Sequence, residues 1–90
     1  MCEKKIIVNN SAGLHNRAAI NFIEIANQFK SKVWVKNGSA VANAKSLLGV
    51  LSLCVEQGDH ITIMAEGCDM EEAIDTLSAL IISTNECSVQ

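Results

Sequence analysis

The stretch Asn10-Ser11-Ala12-Gly13-Leu14-His15-Asn16-Arg17-Ala18-Ala19 lies where a strand-like segment changes into a helical one. It follows the apolar run Ile6-Ile7-Val8. After it, apolar residues recur with the helical period of 3.6. The sequence therefore predicts a first strand over residues 3–8, a loop over 9–15 and a helix over 16–29.

His15 and Arg17 lie at the predicted start of this helix. The first N–H groups of a helix have no partner within it, and the helix dipole adds positive potential, so this end can hold a phosphate. The same field disfavours imidazolium, and a neutral His15 can attack phosphorus while Arg17 binds the transferred group. Taken alone, however, a His-x-Arg pair is more typical of a capping histidine beside a solvated arginine.

Length and composition restrict the class of protein. Ninety residues, 49% of them apolar, predict a single domain over residues 1–90 with one hydrophobic core. The net charge of −3 argues against a broad nucleic-acid-binding surface, because such surfaces are strongly basic.

The cysteines Cys2, Cys54, Cys68 and Cys87 form no Cys-x-x-Cys pair, and neither histidine completes a zinc-like spacing. We therefore expect no metal and no cofactor. The first apolar run is too short for a signal peptide, and no run approaches the length of a membrane span. These features predict a cytoplasmic protein with reduced cysteines.

The middle of the chain alternates with period 2 over residues 32–36, which predicts a second strand with its two valines inward. Trp34 is expected to be partly exposed on the opposite, open face. Asn37-Gly38 predicts a type I′ hairpin turn, followed by a return strand from about residue 39 to residue 43.

Ser46 precedes an apolar run, as the N-cap of a helix does. This short second helix is predicted to bury one face and to leave Leu48 off it. The predicted buried face comprises Leu47, Val50, Leu51 and Cys54. A fourth strand is expected over residues 60–65, where the residues alternate and Ile61, Ile63 and Ala65 point inward. His60 lies at the edge of this strand, in a structural or simply exposed position.

Asp69 and Glu72 resemble a capping box that would begin a third helix over residues 70–83, followed by a fraying polar tail from Thr84. The element order is then βαββαβα. One-sided strands and amphipathic helices predict an α+β, open-faced β-sandwich, in which three helices cover one face of a four-stranded antiparallel sheet.

Two motifs make the chain resemble the HPr family, the histidine-containing phosphocarriers of the bacterial phosphoenolpyruvate:sugar phosphotransferase system. Residues 13–19 resemble the family's active-site motif Gly-φ-His-x-Arg-Pro-Ala. Residues 43–53, Asn-Ala-Lys-Ser-Leu-Leu-Gly-Val-Leu-Ser-Leu, resemble its regulatory serine motif. The resemblance covers nearly the whole chain.

The resemblance implies a phosphoryl carrier rather than an autonomous enzyme. Enzyme I would phosphorylate Nδ1 of His15, Arg17 would hold the phosphate, and a IIA domain of a sugar permease would receive it. It further implies a monomer that docks its partners through an apolar patch of Ile20, Leu47, Leu48 and Leu51.

Ser46 would be the target of an HPr kinase/phosphorylase, and the phosphoserine would favour a catabolite-control transcription factor. Independently of the family, a phosphate adds about 1.5 to 2 negative charges beside the patch and hinders an acidic partner.

Three residues depart from the family's pattern. Ala18 replaces a proline, which leaves the first helical turn less preorganised. Asn16 replaces a small residue and can compete for the cap position. Glu24, one turn beyond Ile20, adds negative charge where some relatives carry lysine.

Two alternatives remain open at this point. The first is a regulatory module of the same family that acts mainly through phosphoserine in carbon catabolite control, against which the presence of His15 and Arg17 counts. The second is an unrelated small α/β domain that binds a metabolite. The sequence offers no glycine-rich cradle for such a ligand.

Overall fold

The structure is a computed structural model. It describes the backbone of residues 1–9 and 16–89 and the side chains of residues 1–9 and 17–81. Its elements, in chain order, are β1 (Cys2–Ile7), α1 (Asn16–Ala26), β2 (Lys32–Asn37), β3 (Ala40–Asn43), α2 (Leu47–Ser52), β4 (His60–Glu66) and α3 (Met70–Val89). This is the predicted βαββαβα order.

The four strands form one antiparallel sheet in the order β1-β4-β2-β3. In the register, Ile6 is opposite Ile61, and Val35 is opposite Ile63. Because paired residues point to the same face, the alternation of each strand contributes to one shared apolar surface. The three helices cover this surface, so the predicted open-faced α+β fold is confirmed.

The core lies between the sheet and the helices. As predicted, both valines of β2 and the three alternate residues of β4 are buried, and Trp34 is half-buried on the open face. The largest fully buried side chains contributed by helices are Phe22 from α1, Val50 from α2, and Leu77 and Ile81 from α3.

The first two helices end earlier than the sequence predicts. After Ala26, the amides of Gln28 and Phe29 donate to carbonyls only three residues back. The side-chain amide of Asn27 donates to the carbonyl of Ile23. In α2 the predicted inward positions of Leu47 and Cys54 are wrong, and Leu47 is 44% exposed. The helix ends at Ser52, Leu53 is buried instead, and Cys54 is exposed with a φ of 52°.

The helical period places Ala18 on the buried side of α1, but in the structure this residue is only half-buried. The third helix is longer than predicted and continues through residue 89 instead of fraying from Thr84. The added residues are polar but include no glycine or proline, and polarity alone does not stop a helix.

The predicted turn after β2 and the predicted capping box at Asp69 are both wrong, because hydrogen bonds to residues outside the local pattern replace them. Asn37 is paired with Ala40 and belongs to β2, which leaves Gly38 and Ser39 as the loop. Of these two loop residues, Gly38 alone has a positive φ, 66°. This is typical of a type II′ turn rather than the predicted type I′ turn. The Asp69 carboxylate accepts hydrogen bonds from Lys30 and Ser31, so the predicted capping box with Glu72 is not what this carboxylate forms.

Candidate functional site

The predicted acceptor, His15, and Gly13 before it lie outside the described residues. Arg17 lies within them, in the first turn of α1, and its side chain is exposed. The eleven-residue helix has no acidic residue in its first turn. Its own side chains therefore do not neutralise the positive potential that the first amides provide for an anion.

Three large apolar side chains of the predicted docking patch face solvent. Ile20 on α1 is 46% exposed, and Leu47 and Leu48 on α2 are 44% and 81% exposed. Leu51 is half-buried and packs against the core, so it contributes less open surface than the other three. The two helices are in contact.

Ser46 is the N-cap of α2, as predicted. Its φ and ψ are −110° and 120°, and its Oγ accepts a hydrogen bond of 3.2 Å from the amide of Gly49. Its carbonyl accepts from the amide of Val50 at 2.9 Å. The side chain is half-buried, and this local geometry needs only the residues of the motif itself.

Lys45 and Asn27 hold α1 and α2 together, and the sequence analysis missed this link. Lys45 Nζ donates to the carbonyl of Phe29 at 2.7 Å, and Asn27 Nδ2 donates to the carbonyl of Lys45 at 3.4 Å. Both bonds join residues far apart in sequence, so no local sequence pattern predicts them. They join Lys45, the residue before Ser46, to the residues that directly follow α1.

Other residues with reactive side chains lie outside α1 and α2. His60 is exposed at the start of β4. Cys2, Cys54 and Cys68 are free thiols. Within the described part of the chain, no three metal-ligating side chains come together, and no helix is long and apolar enough to cross a membrane.

An open-faced α+β sandwich, with an exposed arginine at the start of α1 and a serine-capped α2 beside it, defines a class of small phosphocarrier domains. The family model for the PTS HPr component phosphorylation site matches residues 2–83. The chain belongs to the HPr family of phosphocarriers of the phosphotransferase system, as its motifs predict.

Relatives of several kinds resemble the chain to a similar degree. Phosphocarrier protein NPr of Proteus mirabilis is 41% identical over 81 residues, which cover 89% of this chain and 90% of the relative. HPr-like protein Crh of Halalkalibacterium halodurans is 38% identical over 81 residues, covering 90% and 96%. Phosphocarrier and Crh-type relatives are therefore both represented at comparable identity.

Solved structures agree with the fold. HPr-C-His from Thermoanaerobacter tengcongensis has a TM-score of 0.91 at 43% identity, covering 96% of this chain and 97% of that one. A second structure from that organism is described as an HPr dimer, with a TM-score of 0.75 at 44% identity, covering 94% and 98%. Dimers among the relatives go against the expectation of a monomer.

Proposed function

We propose that this chain carries a phosphoryl group on His15 between Enzyme I and the IIA domains of sugar permeases. The match of the family model over residues 2–83 carries the proposal. The exposed Arg17 supports it, as does the absence of an acidic residue from the first turn of α1. This arrangement suits a site that must hold a phosphoryl group while remaining open to large partners.

The proposed reaction is a balanced exchange. As a phosphohistidine on Enzyme I approaches, Nδ1 of neutral His15 attacks phosphorus, the new N–P bond forms and the donor's N–P bond breaks. The donor imidazole leaves with the electron pair of that bond. The reverse pairing then delivers the group to a IIA domain. Arg17 balances the charge of the phosphoryl oxygens, and Ile20, Leu47, Leu48 and Leu51 provide the surface on which each partner docks.

Phosphoenolpyruvate and Enzyme I test this proposal directly. We expect phosphate on the chain that is labile in acid and stable in base. His15→Ala should abolish it, whereas His60→Ala, which removes the other histidine on an exposed strand end, should leave it intact. Phosphate that persists in His15→Ala would overturn the assignment.

We further propose that Ser46 is a regulatory phosphorylation site for an HPr kinase/phosphorylase. Its half-exposed N-cap position supports the proposal, because a phosphate there keeps the favourable helix-end potential. The new charge lies on the residue adjacent to Leu47, so it would hinder an acidic partner and could recruit a catabolite-control transcription factor.

Kinase and ATP test the regulatory site. Acid-stable phosphate should appear in the wild-type chain and be lost in Ser46→Ala. Ser52→Ala is the matched control, since Ser52 lies in the same helix but its hydroxyl donates to the Gly49 carbonyl at the other end. Acid-stable phosphate without any transfer to His15 would favour the alternative, a regulatory module like the Crh-type relatives. In either role we propose a single cytoplasmic domain over residues 1–90.

A further inference from the structure

The exposed surface beside Ile20 carries an isolated negative charge. Arg17, Ile20 and Glu24 are spaced i, i+3 and i+7 on α1, a spacing that places them on one side of a helix. All three are exposed. Since a helix rises 1.5 Å per residue, Arg17 and Glu24 are separated by roughly 10 Å along the axis, with Ile20 between them.

Neither of the two helices that contact α1 carries a lysine or arginine to balance Glu24. The sequence of α2, Leu-Leu-Gly-Val-Leu-Ser, is uncharged. Lys45, the nearest lysine in sequence to α2, donates to the Phe29 carbonyl and so is directed to the end of the α1 segment. Within the described part of the chain, no hydrogen bond or ion pair engages the Glu24 carboxylate.

Arg17 and Glu24 are therefore the two formal charges on the described surface formed by α1 and α2. If Arg17 serves the phosphoryl group, Glu24 is the charge that remains for a partner to recognise. An exposed charge at the rim of an apolar contact sets association rate and partner choice more than it sets the strength of the complex.

We propose that Glu24 is a partner-specificity residue, and that the protein docking over Ile20 places a lysine or arginine opposite its carboxylate. The inference rests on the proposed function and adds the chemistry of the partner's surface. A partner with an acidic surface at this point would be repelled. The charge is fixed by sequence, so this selection operates whether or not Ser46 is phosphorylated.

The test is the rate of phosphoryl transfer from phosphorylated Enzyme I of the same organism, measured by rapid quench at low ionic strength. We expect the rate to fall from wild type to Glu24→Gln and further to Glu24→Lys, by about five- to tenfold in total. The slower transfer should reflect a higher KM for this protein, while kcat, measured at a saturating concentration of it, stays the same. Asp75→Lys makes the same change of charge on an exposed position of α3 and should stay within about twofold of wild type.

Salt separates an electrostatic effect from a structural one. The Debye length falls from about 10 Å at 0.1 M to about 3 Å at 1 M, so the deficit of Glu24→Lys should shrink as salt is added. A Glu24→Lys chain that reacts as fast as wild type or faster, or a deficit that salt leaves unchanged, overturns this inference alone. A wild-type chain that accepts no phosphoryl group overturns the proposed function and, with it, this inference.

Discussion

Asp69 and Ser31 exchange hydrogen bonds across 38 residues of sequence. Ser31 Oγ donates to Asp69 Oδ1, and the Asp69 amide donates to Ser31 Oγ at 3.2 Å. The amides of Ser31 and Lys30 also donate to this carboxylate, each at 2.9 Å. These bonds join the segment between α1 and β2 to the residue that precedes α3.

Ser31→Ala should lower the free energy of unfolding by about 1–2 kcal/mol. Ser31 is 1% exposed, and its hydroxyl both donates to and accepts from Asp69, so its loss leaves the Asp69 amide and Asp69 Oδ1 without that partner. Urea denaturation followed by circular dichroism measures the change. Ser39→Ala, in the exposed hairpin loop, should leave the midpoint nearly unchanged. Equal midpoints for the two variants would contradict the prediction.

The same carboxylate should make stability depend on pH. The Ser31 hydroxyl, followed by the Lys30 amide, lowers the pKa of Asp69 below its ordinary value of 3.8. A carboxyl whose pKa is lower in the folded state contributes stability above the unfolded pKa and loses it as pH falls through the folded pKa. Asp69→Asn should therefore be less stable than wild type at neutral pH.

The difference between wild type and Asp69→Asn should narrow in acid, starting below about pH 5. Urea titrations of both proteins across this range provide the measurement. Asp75→Asn is the control for general charge effects, since its carboxylate is exposed on α3. A difference between wild type and Asp69→Asn that widens as pH falls would reverse the required sign and contradict the assignment.

Gly67 should not tolerate a side chain. Its φ is 148°, and a Cβ placed on it would lie 2.7 Å from Ser31 Cα. Backbone strain and the clash act together, so Gly67→Ala should cost about 3 kcal/mol of unfolding free energy. Gly38→Ala separates the cost of the backbone strain from the cost of the clash. Gly38 has a φ of 66° but open space around it, and the cost there should be about 1 kcal/mol. Equal costs would mean that the contact with Ser31 does not matter.

The sequence predicted those features of the fold and site that depend on residues close together in the chain. The alternation in β2 and β4 identified the buried residues of both strands because side chains on a strand point to alternate faces. The cap at Ser46 was predictable for the same reason, since its donor, Gly49, is three residues away. Arg17 in the first turn of α1 followed from the change of period around residue 16.

Tertiary contacts determined the rest. The Asp69 carboxylate could have capped the third helix locally, but it accepts hydrogen bonds from the amides of Lys30 and Ser31 instead. Similarly, the strand register placed Asn37 within β2 and changed the type of turn. The link from Lys45 to Phe29 joins residues 16 apart, and a spacing rule gives no reason to pair them. The position of His15 lies outside the described residues and stays a prediction.

Cys54→Gly should stabilise the protein. Cys54 follows the end of α2 with a φ of 52°, a left-handed conformation that costs a residue with a Cβ about 1–2 kcal/mol. Glycine removes that strain but loses more backbone entropy on folding, so the net gain should be about 0.5–1 kcal/mol. Because the side chain is exposed, no core contact is lost. Cys68→Gly also removes an exposed thiol, but from a residue without a positive φ, and it should be neutral or destabilising. Urea midpoints under reducing conditions compare the two variants, and a lower midpoint for Cys54→Gly than for wild type would show that the left-handed backbone is not strained.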